Sequence, residues 1–134
     1  MTCADLLIRL LRDTYGVRAL FGIPGVHTVE LYRGLEGSEV AHITPRHEQG
    51  AGFMADGYAR STGKIGVALV VPGPGIYNAG AAMATAYAAS SPVFLLSGQI
   101  PSEEISKDLG ALHEVHDQLE IIRPVTKWND RVMQ

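Results

Sequence analysis

The sequence predicts an α/β fold, a doubly wound, largely parallel sheet flanked by helices on both faces. Strand-like and helix-like apolar segments alternate four times along the chain. One strand-like segment, Ile65 to Val71, is an unbroken apolar run, the pattern of a strand covered on both faces. The segments Val17–Phe21 and Ile65–Val71 each run into a turn of Gly and Pro, at Gly22-Ile23-Pro24-Gly25 and Pro72-Gly73-Pro74-Gly75. At 134 residues the chain is one domain in size and can bury a core.

Taken in order, Thr2 to Thr14 reads as an amphipathic helix with Leu6, Leu7, Leu10 and Leu11 as its apolar stripe, ended by Gly16. Val17 to Phe21 is a short buried strand. His27 to Leu35 is a second helix, with Val26, Leu31 and Leu35 as its apolar positions. Val40 to Thr44 is the next strand. Pro45 ends it, and a Gly- and Ala-rich helix then runs to about Ser61. After Ile65–Val71, the segment Ile76 to Ala88 is a helix almost free of charge, and Pro92 to Leu96 is a fourth buried strand. A polar loop, Ser97 to about Leu109, leads to a weaker helix over Leu112 to Ile121, and Pro124 to Trp128 closes as an extended piece. No closing element follows, so the chain is expected to be cut short at its C-terminus.

A net charge of −3 with no basic stripe argues against a nucleic-acid surface. The single cysteine, Cys3, permits no intrachain disulfide and fits a reducing, cytoplasmic setting. Charged residues interrupt the N-terminus as a signal peptide, and the Ala-rich run at 79–89 is too short and too weakly apolar for a membrane span.

In an open α/β sheet, ligands sit beyond the carboxyl ends of the strands. Three predicted turns lie there: Gly22–Gly25, Pro45–Glu48 and Pro72–Asn78. Gly and Pro in the first and last let backbone approach a flat ligand, and Pro45–Glu48 carries a carboxylate, Glu48, at the mouth of a helix. A helix N-terminus also favours a purely structural acid. A dinucleotide fingerprint is not met, because Asn78 stands where G-x-G-x-x-G needs its third glycine. His113-Glu114-Val115-His116 is not H-E-x-x-H, and no cysteine is present to complete a zinc site with it, so no metal site is expected in this chain. Ser97-Gly98-Gln99 follows a strand and either lines a site or turns the chain.

Taken together, Gly22–Gly25, Arg46-His47-Glu48-Gln49-Gly50-Ala51, Asp56-Gly57-Tyr58-Ala59-Arg60, Gly63-Lys64, Gly73-Pro74-Gly75-x-x-Asn78, Ser97–Pro101 and Arg123–Asn129 resemble, over essentially the whole chain, the N-terminal pyrimidine-binding domain of thiamine-diphosphate enzymes, in particular acetolactate synthase. The resemblance implies that residues 1–134 form that domain and that Glu48 hydrogen-bonds the cofactor's aminopyrimidine, activating it so that the thiazolium ylid forms. It implies thiamine diphosphate as cofactor, with Pro24, Gly25, Glu48, Gly73, Pro74, Gly75 and Asn78 around it. Substrates would be keto acids or hydroxy ketones. The Mg2+ and diphosphate would be held by a diphosphate-binding domain of a second subunit in a homodimer or tetramer, whose G-D-G…N-N motif this sequence lacks. The chain alone would then be inactive. FAD belongs to some full-length relatives, but nothing in this sequence supports it.

Two departures bear on substrate. Ile23 stands where acetolactate synthases usually carry an aromatic residue, and Val26-His27 where they usually carry glycine. The histidine is similar to that of benzaldehyde lyase, a carboligase in which it transfers protons to and from substrate; His113 stands where that lyase carries Gln. The resemblance therefore makes His27 and His113 candidate acid–base groups, and Ile23 and Gln99 substrate-side candidates. The alternatives are a lyase-like module using His27 and a non-catalytic, self-associating α/β domain, the latter suggested by the small-residue face Gly80, Ala81, Ala84 and Ala88.

Overall fold

The computed structural model describes residues 1–133. Its elements run α1 (Cys3–Asp13), β1 (Ala19–Gly22), α2 (Val29–Arg33), β2 (Ala41–Ile43), α3 (Glu48–Thr62), β3 (Gly66–Val70), α4 (Pro74–Ala88), β4 (Val93–Ser97) and α5 (Gln118–Ile122), with a 3-10 turn at Arg123–Val125. The four strands form one sheet in the order β2-β1-β3-β4, every pair parallel. Leu20 aligns with Val67, and Val70 with Ser97.

Alternation along the strands sends side chains to two cores. On one face Leu20, Val67 and Leu69 pack with Ile8 and Leu11 of α1 and with half-buried Leu31 and Leu35 from α2 and the turn after it. On the other face Ala19, Phe21 and Ala68 meet Ala51 and Ala55 of α3. Val70 on that face meets Ile76, Ala79 and Met83 of α4 and Ile122 of α5. The sheet is therefore wound on both sides, as the alternation of elements requires.

Small residues set the thickness of the second layer. A Cβ on Gly66 of β3 would collide with the backbone carbonyl of Ala55, and one on Gly52 would lie 2.5 Å from the Cβ of Ala82. Helix α3 is thus pressed backbone-close onto both the sheet and α4.

The structure corrects several sequence readings. The buried stripe of α1 is Ala4, Ile8 and Leu11, while Leu6 and Leu10 are exposed. Their spacing satisfies a helical stripe equally well, but the stripe through Ile8 is the one turned to the sheet. Thr2 fixes the start of α1 by accepting from the Asp5 N–H at 3.1 Å, while the Asp5 carboxylate accepts the Thr2 N–H at 2.7 Å. Helix α2 is short because Thr28, fully buried, spends its hydroxyl on the Gly25 N–H and C=O, both at 3.0 Å, and holds residues 25–28 as a turn. Val26 is consequently exposed. Strand β4 is half-buried throughout because it is an edge strand among the described residues. The helix expected from Leu112 begins at Gln118, capped by the Asp117 carboxylate, which accepts from Leu119 and Glu120. Upstream, the Glu114 carboxylate accepts the N–H groups of Leu109, Gly110 and Ala111, and His113 has φ 66°; both tie this segment as a loop. Pro124 lies in the 3-10 turn rather than in an extended piece.

Candidate functional site

With all strands parallel, the turns after β1, β2, β3 and β4 lie along one rim of the sheet. The connection from β1 leads toward β2 and that from β3 toward β4, in opposite directions, so the rim between β1 and β3 is the switch point where open sheets bind ligands.

Glu48 is the first residue of α3. The residue before it, His47, caps the helix by accepting the Gln49 N–H on Nδ1 at 3.2 Å. Glu48 is half-buried, and its Oε2 accepts a hydrogen bond from Asn78 Nδ2 at 2.9 Å. Asn78 sits in the first turns of α4, so the crossing of α3 with α4 brings these two predicted residues together. Oε1 has no protein hydrogen bond among the described residues, which leaves one carboxylate oxygen fixed and one available. Phe53 and Met54, one turn further along α3, give Glu48 no apolar shelter within the chain, since they are 40% and 42% exposed.

The glycines of the turns also admit protein. A Cβ on Gly25 would collide with Val71, one on Gly75 would crowd Val71 and Val70, and one on Gly73 would strike the backbone carbonyl of His113. Pro24 and Pro74 remain exposed on the rim, and Ile23 is half-buried there.

His27 and His113, 86 residues apart, meet with Nδ1 to Nδ1 at 3.0 Å and ring centroids 5.2 Å apart. One ring must donate and the other accept, so the hydrogen bond holds at most three of the four possible ring protons. Each Nε2 is left without a protein partner among the described residues. Burial first, and the proximity of His113 second, hold His27 below the ordinary histidine value of 6.5. The unfolded chain therefore takes up a proton at His27 at higher pH than the folded chain does. Folding stability is expected to be full above pH 6.5 and to fall as the pH drops beneath it. Urea midpoints at pH 7.5 and 5.5 measure this, and His27→Asn should flatten the slope; an unchanged slope would refute it.

Two further glycine contacts hold this pair. Gly73 abuts the His113 carbonyl, and a Cβ on Gly98 would strike the His27 carbonyl. Both glycine turns are tied by Gln118, which sequence reasoning missed. Its Oε1 accepts the Gly73 N–H at 3.2 Å, and its Nε2 donates to the Gly98 carbonyl at 3.0 Å.

Residues 1–121 match the family described as thiamine pyrophosphate enzyme, N-terminal TPP binding domain. The chain belongs to this family. A probable 2-ketoarginine decarboxylase of Pseudomonas aeruginosa is 51% identical over 96% of this chain and 23% of its own length. A probable acetolactate synthase large subunit of Methanocaldococcus jannaschii is 42% identical over 98% of this chain and 22% of its own length. The acetolactate synthase isozyme 3 large subunit of Escherichia coli is 43% identical over the same shares. The chain thus spans somewhat under a quarter of the length of these relatives and corresponds to their thiamine pyrophosphate (thiamine diphosphate) binding segment.

Within this thiamine pyrophosphate domain, the remaining candidates have plain uses. Gln99 is half-buried, and its side-chain oxygen accepts the Ile100 N–H at 2.8 Å, so its amide turns back on the chain. The two histidines of the His113–His116 motif separate: His113 meets His27, while exposed His116 pairs with Asp108 at 3.0 Å. Among the described residues no three His, Cys, Asp or Glu side chains gather as metal ligands, and no helix is long and apolar enough to cross a membrane.

Proposed function

We propose that this domain primes thiamine diphosphate in an enzyme that acts on 2-keto acids or 2-hydroxy ketones, with acetolactate synthase-like carbon–carbon bond formation. The Glu48–Asn78 hydrogen bond at the mouth of α3 carries this reading, within a chain that belongs to the thiamine pyrophosphate family. The donor set suits an aminopyrimidine, since a carboxylate with one anchored and one free oxygen can share a proton with a ring nitrogen. Bound thiamine diphosphate supplies a carbon nucleophile and a store for the electron pair left when a bond beside a carbonyl breaks. Asn78 holds Oε2, so Oε1 is the atom that keeps a proton on the ring. The His27–His113 pair gives or takes a proton through a free Nε2, and the Nδ1 contact passes the charge to the second ring.

The outer face of α3 and α4 bears exposed Phe53, Met54 and Tyr77, and the space beyond Gly57 and Gly80 is open. We assign this face to a second copy of the chain, and the Mg2+ and diphosphate to a diphosphate-binding domain of a second subunit. A benzaldehyde lyase-like reaction is the second reading, favoured by the contact of His27 with His113.

The test is consumption of pyruvate, 2-ketoarginine and benzoin by the complete gene product with thiamine diphosphate and Mg2+. Keto-acid turnover that stops when the cofactor is omitted supports the first reading, and benzoin cleavage alone supports the second. Cofactor-independent or absent turnover on all three overturns both.

A further inference from the structure

We propose that Gln118 is the positioning residue that holds His27 and His113 in contact. This rests on the reading of those histidines as the proton-transfer pair, but the geometry stands by itself. The two rings sit on separate loops, after β1 and before α5. Neither loop has a helix or strand of its own at the histidine, and His113 is in a left-handed conformation. Each loop instead leans on a glycine at a strand end: His27 on Gly98 after β4, His113 on Gly73 after β3. The spacing of the rings therefore depends on how those two turns sit relative to each other.

Strands β3 and β4 are paired up to Val70 and Ser97, so the ladder between them stops one residue before Gly98 and three before Gly73. Beyond it, the Gly98 N–H reaches the Val70 carbonyl at 3.3 Å. The Gln118 amide continues the tie by accepting from Gly73 and donating to Gly98. A primary amide suits this place because it offers one acceptor and one donor at a fixed spacing. The residue is only 9% exposed, so water competes little for those bonds. Asp117 immediately before it caps α5 and fixes where the side chain starts.

Gln118 makes no hydrogen bond to either ring among the described residues, so it acts through the backbone of both loops. Gln118→Met keeps the length and volume but removes the donor and the acceptor. Gln118→Glu keeps the acceptor for Gly73 and loses the donor to Gly98.

The experiment reads the histidines directly, in the complete gene product labelled with 15N at histidine. In the wild type, the Nδ1 resonances of His27 and His113 are expected to show a proton shared across the contact, as a coupling between the two nitrogens. In Gln118→Met that coupling should be lost while the far-ultraviolet circular dichroism spectrum is retained, and kcat on the accepted substrate should fall about 10- to 100-fold with KM changed less. A merely structural role lowers the melting temperature and leaves the coupling intact, which would overturn the proposal. If Gln118→Met does not fold, Gln118→Glu supplies the same measurement. In the wild type, hydrogen exchange at the Gly73 amide should be slow, and fast exchange there overturns the proposal whatever the variants do. Loss of coupling in a protein without thiamine-dependent turnover would uphold the role of Gln118 and remove only the catalytic reading of the pair.

Discussion

Replacement of Glu48 by Gln is expected to lower turnover of the complete enzyme by about 100-fold or more, the range associated with loss of a positioned proton-transfer group. The substitution is nearly isosteric. A glutamine carbonyl still accepts the Asn78 Nδ2 that now binds Oε2 at 2.9 Å, so the joint between α3 and α4 is kept. What disappears is the oxygen able to hold an exchangeable proton against a ring nitrogen. The melting temperature should therefore move little while activity collapses. Steady-state rates at saturating thiamine diphosphate, beside a thermal melt, measure the contrast. Wild-type turnover in Glu48→Gln would remove the residue from the chemistry and return it to the structural role that any acid at a helix start can play.

Gly66→Ala should cost about 3 kcal/mol of stability, at the upper end of what overpacking a core exacts. The added methyl would collide with the Ala55 carbonyl. Neither partner has a side chain that can rotate away, because one is strand backbone and the other helix backbone. Relief requires α3 to lift from the sheet, which also disturbs its close crossing with α4 at Gly52 and Ala82. Gly57→Ala on the same helix is the control. A Cβ there meets nothing within 4 Å in its own chain, so in the unassociated chain removing a mid-helix glycine should stabilise by about 0.5–1 kcal/mol. Urea denaturation of both variants gives the two signs, and a Gly66→Ala loss below about 1 kcal/mol would contradict the backbone contact.

The fold was legible because its signals are local. The apolar run of β3, the small residues of α3 and α4, and the Gly and Pro turns after β1 and β3 each speak through neighbouring residues. Glu48 and Asn78 were legible as site candidates through the resemblance, although their hydrogen bond depends on how two helices cross. What escaped was set by distant contacts. The stripe of α1 that faces the sheet is chosen by the partner surface, not by spacing. The late start of α5 follows from Asp117 and from the fastening of residues 109–111 by Glu114, a bonding pattern without periodicity. Gln118 gives no sequence signal at all, because its partners are backbone groups 45 and 20 residues away. The packing of chain against the strand-end glycines was also invisible, because Val71 and the His113 carbonyl reach them only in the folded chain.

The contrast between the two halves of the rim bears on which positions can vary. Glu48 and Asn78 stand on long helices locked backbone to backbone, where most substitutions would unseat α3 from its neighbours. His27 and His113 stand on irregular loops whose shape is maintained by a handful of polar ties. Positions on those loops can therefore change at less cost to the fold than Glu48 and Asn78 can.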